Sequence, residues 1–126
     1  MNSKELTLIL NKAKYWATSK ILIKLPDAAI IISILEEDNI LSGKTTIRKE
    51  SGEVKAIITI SISNNVMQKP NIEQGIKLVL IHEICHLVNL KDPDQAMKEY
   101  FPKEFNIWNK AQDAQALKCG VEFKWI

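Results

Sequence analysis

"NIEQGIKLVLIHEICHLVN", residues 71–89, contains both histidines of the chain, four apart, with Glu83 directly after the first. Its reading decides the fold. Asn71 is a candidate helix cap, and Glu73 puts an acid in the first turn, where the macrodipole favours one. The helix is expected to end near Asn89. Four residues is about one helical turn, so His82 and His86 project from the same face. Val79, Leu80, Ile81, Ile84, Cys85, Leu87 and Val88 around them are all uncharged. A helix that is apolar almost all round is buried.

Two imidazoles and a carboxylate on a buried helix are costly without partners. One reading leaves the histidines bonded to core carbonyls and the glutamate in solvent. The other supplies a metal. Neutral imidazoles at this spacing bind one Zn²⁺, and Glu83, about a quarter turn away, is placed to take a proton from water rather than to ligate. Such a set activates water for attack on a carbonyl, with Glu83 as general base passing the proton on to the leaving amine.

Outward from this helix, residues 3–18 read as an amphipathic helix. Leu6, Ile9, Leu10, Ala13, Trp16 and Ala17 recur at helical spacing, and Ser3 can cap the start. "ILIKL" (21–25) is compatible with extended chain. Residues 26–37 are expected as a buried helix opened by Pro26, although their isoleucines leave a strand open. "LSGK" (41–44) reads as a turn. "TTIRK" and "VKAIITISIS" flank "ESGE" as a β-hairpin, with Ile58, Ile60 and Ile62 on one face. "NNVMQKPN" (64–71) reads as a loop. After "LKDPD", Asp92 can cap a helix from Pro93, and Pro102 interrupts that helix or starts the next. Residues 103–118 read as a final helix stopped by Gly120. The fold class is α+β, in one domain over residues 1–126.

The composition of this 126-residue chain, 46% hydrophobic and 25% charged, suits one globular core. A net charge of +2, with lysines spread along the chain, lacks the clustered basic stripe of a nucleic-acid surface. The longest apolar run, "AAIIISIL" (28–35), is too short to span a bilayer, and the N-terminal stretch is broken by Asn11, Lys12 and Lys14. Cys85 and Cys119 make no disulfide framework, so a cytoplasmic, reducing location is expected. Cys85 is expected as inert core packing. Trp16, Trp108 and Trp125 are expected in the core or at its rim.

"VLIHEICHLV" resembles the zincin superfamily of metallopeptidases: a small apolar residue three before the first histidine, then uncharged residues around HExxH. The resemblance covers roughly residues 55–118. It implies a zincin-like α+β domain, a small sheet packed on the metal helix, one catalytic zinc and a protein or peptide substrate. It also implies a strand ahead of the metal helix that pairs with extended substrate, here "AIITISIS" (56–63). An ordinary half-buried hairpin strand reads equally well there. So short a chain has little wall for a deep specificity cleft. That points to narrow processing, or to a partner protein that presents the substrate.

With the histidines used, a carboxylate is the expected third ligand, ahead of Cys119 or a tyrosine. Asp92 gives HExxHxxNxxD, similar to the metzincin pattern, with Asn89 in the place of a helix-breaking glycine; it is equally a routine helix cap. Glu104 is near gluzincin spacing and is equally a first-turn acid. Asp113 lies in "WNKAQD". Trp108, Asn109, Ala111 and Asp113 there match the W-N-x-A-x-D segment of small metallopeptidases from phages and of those beside von Willebrand factor A-type domains. The chain lacks the histidine and arginine that usually follow HExxH in those proteins. On this resemblance the expected zinc set is His82, His86 and Asp113, with Glu83 as base. The alternative is a catalytically silent zinc domain that serves as a protein-interaction module.

Overall fold

A computed structural model describes residues 1–113 and 122–124, with residues 111–113 and 122–124 described by backbone alone. The elements run α1 (Ser3–Lys20), β1 (Asp27–Leu35), β2 (Ile40–Glu50), β3 (Glu53–Ser63), α2 (Asn64–Met67), α3 (Ile72–Val88), α4 (Pro93–Tyr100), α5 (Pro102–Asp113) and β4 (Glu122–Lys124). This is an α+β arrangement with a small mixed sheet of order β1-β3-β2-β4. No helix among the described residues is long and apolar enough to cross a membrane.

The expected helix at 26–37 is a strand. Ile30, Ile31, Ile32 and Ile34 are β-branched, stiff at χ1, and favour the pleated surface. They pair in parallel with β3, Ile30 against Ile58 and Ile32 against Ile60. "LSGK" is likewise no turn. It lies inside β2, with Leu41 opposite Ile62 and Gly43 opposite Ile60. The chain reverses earlier, before Asn39, which takes a left-handed φ of 61°. The hairpin at "ESGE" is as expected: Ser51 and Gly52 have φ of 50° and 81° and join antiparallel β2 and β3. Residues 21–25 form no regular element, and the 64–71 loop opens with the short α2.

β3 is an interior strand, flanked by β1 and β2. Both its edges are therefore hydrogen-bonded, and it cannot receive a substrate strand, contrary to the expectation for 56–63. Ile58, Ile60 and Ile62 are all fully buried. Each contributes about 1.5–3 kcal/mol by burial. Registry places Ala28, Ile30 and Ile32 of β1 and Leu41, Gly43 and Thr45 of β2 on the same face as these isoleucines.

α3 packs on that face and meets α1 and α4 on its flanks. α1 buries Leu6, Leu10, Ala13 and Ala17; its cap is Asn2, one residue earlier than expected, accepting from the Glu5 amide at 2.9 Å. Asn71 precedes α3 in a left-handed conformation and makes no side-chain cap bond. α5 runs from Pro102, so the proline starts a new helix. The expected extension of that helix to 118, with its stop at Gly120, lies outside the described residues.

Candidate metal centre

From Ile76 to Cys85, α3 is buried at every position but the exposed Lys77, His82 and Glu83 included. The ligand atoms of His82, Glu83 and His86 all lie within 4.8 Å of one another. The two imidazoles meet edge to face, with centroids 5.0 Å apart. α5 closes one side: Trp108 is fully buried and stacks on His82 at 4.4 Å, 18° from parallel. The tryptophan was expected in core; its place against a histidine was not.

β2 supplies the wall behind Glu83. The Thr45 hydroxyl lies 2.9 Å from Glu83 Oε1 and 3.1 Å from its carbonyl oxygen, so it donates to the glutamate. Glu83 Oε2 lies 3.3 Å from His82 Nδ1. Gly43 opens the space for this side chain. A Cβ there would stand 2.5 Å from Glu83 Cγ and 2.9 Å from both Glu83 Cδ and Val79 Cγ1. The "G" of "LSGK" is thus needed for close approach within a strand.

The turn after α3 places the next helix. Asn89 has φ −144°, extended rather than left-handed, and its side chain accepts from the Asp92 amide at 3.0 Å. Asp92 in turn accepts from the Gln95 amide at 3.1 Å, which caps α4. Its carboxylate therefore serves the helix, and the metzincin-like role for Asp92 finds no support in its position. Glu104 lines a separate groove with Lys12, Trp16, Lys77 and Ile107, which neither histidine lines. Asp113 is the last residue of α5, and its side chain lies outside the described residues.

One carboxylate that the sequence did not single out does reach a histidine. Asp94, in the first turn of α4, brings Oδ1 to 3.3 Å from His82 Nε2. Its signal was present in "DPD": when the first aspartate caps a helix, the second falls in the first turn, with its Cα–Cβ bond tilted back toward the N-terminus.

A metal fits these residues on one internal observation. His86 Nε2 and Asp94 Oδ1 are both buried, and neither makes a hydrogen bond with a described residue. Buried polar atoms are normally satisfied, and a cation held by the His82–Glu83–His86 group would satisfy His86 Nε2. The donors, two imidazoles and carboxylate oxygen, suit zinc. His86 is half-buried and the Asp94 side chain is 50% exposed, so the cluster lies close to the surface. Cys85 is fully buried, and its thiol is pushed up from an ordinary 9.0 to about 12, first by burial and then by the Asp94 and Glu83 carboxylates. It stays protonated, which makes it a poor ligand and nucleophile.

No family model, curated protein or solved structure matches the chain.

Proposed function

We propose that the chain is a zinc-dependent metallopeptidase of zincin type that hydrolyses peptide bonds. The observation that carries the reading is the His82–Glu83–His86 cluster, with His82 and Glu83 buried and His86 Nε2 without a hydrogen bond among the described residues. His82 and His86 hold the ion. When bound, zinc makes water acidic enough to ionise near neutral pH and polarises a carbonyl. Glu83 is the general base. Its Oε1 is held by Thr45, and Oε2, which lies beside His82 Nδ1, is the oxygen that would take a proton from the attacking water and return it to the leaving amine. Glu83 is 1% exposed, which keeps bulk water from the carboxylate. The substrate is a protein or peptide, and a partner protein that presents it is part of the same reading.

A second reading has one observation in its favour. Glu83 Oε2 beside His82 Nδ1 is also the arrangement by which a carboxylate orients a metal-ligating imidazole. In that case the chain is a zinc domain without catalysis, acting as an interaction module. Glu83→Gln separates the two. The zinc-loaded wild type should cleave members of an unstructured peptide library, read by mass spectrometry. The variant should keep its zinc and cleave about 10²–10⁴-fold more slowly. A variant that cleaves at the wild-type rate removes Glu83 from catalysis. A silent wild type, with a variant that binds zinc about 10–100-fold more weakly, supports the second reading.

A further inference from the structure

We infer that Asp94 is the third protein ligand of the metal, completing a His82–His86–Asp94 set. The inference rests on the histidine pair being a metal site, as proposed above. Its own support is geometric. Two ligands held at about 2.0–2.1 Å from one tetrahedral zinc stand roughly 3.3–3.4 Å apart. His82 Nε2 and Asp94 Oδ1 are 3.3 Å apart. Oδ1 is shut off from solvent and, among the described residues, makes no hydrogen bond beyond its ion-pair approach to His82 Nε2, although the Asp94 side chain as a whole is half exposed. One oxygen of the carboxylate thus turns inward to His82, while the side chain as a whole is half exposed. His86 Nε2, buried and without a hydrogen bond among the described residues, would supply the second nitrogen.

The turn before α4 holds this arrangement. Asn89 fixes the Asp92 amide, and Asp92 fixes the Gln95 amide. Both bonds lock the first turn of α4 against the end of α3, and Asp94 rides on that turn. Asp92 is thereby a positioning residue, and Asp94 the residue that touches the ion. Three protein ligands leave a fourth position open for water, as a catalytic zinc requires. The carboxylate lies eight residues after the second histidine. That places the ligand on the helix immediately following the metal helix, with no need for a later segment to return.

The test reads metal binding, not turnover. Zinc affinity is measured by competition with a chromophoric chelator, and the ligand field by the visible spectrum of the cobalt(II)-substituted protein. The proteins are wild type, Asp94→Ala, Asp94→Asn, Asp113→Ala and His86→Ala, each checked for folding by circular dichroism. Wild type should bind one ion. Asp94→Ala should lose about 100-fold or more in affinity, with altered cobalt bands, and Asp113→Ala should match wild type. Asp94→Asn keeps the shape and the first-turn position. It should also bind more weakly, which covers the case in which the alanine variant fails to fold. Wild-type binding that survives both Asp94 substitutions overturns the inference and leaves the histidine site standing. Loss of binding in Asp113→Ala alone overturns it in favour of Asp113. Absence of one-to-one binding in wild type overturns the metal site itself, and this inference with it.

Discussion

Gly43→Ala should destabilise the protein by forcing a methyl group into the space of Glu83. The new Cβ would lie 2.5 Å from Glu83 Cγ and 2.9 Å from Glu83 Cδ and Val79 Cγ1. Carbon atoms pack comfortably at about 3.5–4.0 Å, so all three contacts overlap by roughly 0.6 Å or more. The strand cannot retreat cheaply, because Gly43 pairs with Ile60 and Leu41, two residues before it on the same face, is fully buried. The glutamate cannot swing away without breaking its bond from Thr45. Overpacking of this kind costs about 1–3 kcal/mol. Replacing glycine within a strand would otherwise stabilise by about 0.5–1 kcal/mol, so a net loss identifies the clash. We expect a net loss of about 1–2 kcal/mol, read by urea denaturation of the metal-free protein, and a Tm lower by roughly 3–10 °C. In a Glu83→Ala background two of the three overlaps vanish, and the cost should fall by about 1 kcal/mol. Equal losses in both backgrounds, or no loss in either, would refute the packing of β2 against Glu83.

Trp108→Ala removes a fully buried ring that also stacks on His82, and should cost about 3–5 kcal/mol in denaturant unfolding; a change under 1 kcal/mol contradicts its place in the core. Asp92→Ala should lose the α4 cap, costing about 1 kcal/mol, while zinc affinity changes far less than in Asp94→Ala; complete loss of zinc would restore Asp92 as a ligand. Cys85, with its pKa raised to about 12, should resist alkylation at pH 8 in a Cys119→Ser background until urea unfolds the metal-free chain. The native state keeps this proton where the unfolded chain releases it. Stability from this group should therefore fall as pH rises from about 9 toward 12. Modification at pH 8 as fast as that of a free thiol sinks the claim.

The histidine helix was legible because its cues agree: apolar residues on all sides, histidines at i and i+4, and an end near Asn89. The hairpin was legible for the same reason, since Ser-Gly sits between alternating strands. Residues 27–35 misled because a run of apolar residues carries no period. A starting proline suggested helix, and only the parallel partner β3 selects strand. "LSGK" misled because glycine in a strand, placed for Glu83, has the same composition as a turn. At the site, the histidines and Glu83 could be read from spacing. Asp94 could not, because its approach to His82 depends on the Asn89–Asp92–Gln95 chain of caps, a three-dimensional consequence of two adjacent turns. The bond from Thr45, on the core-facing side of β2, was equally invisible, since its partner lies 38 residues away.

The most direct test of the metal site is zinc content per chain after equilibrium dialysis, compared between wild type and His86→Ala. The account predicts one zinc per wild-type chain and close to none in the variant. A wild type without stoichiometric zinc, or a variant that holds as much as wild type, would contradict it.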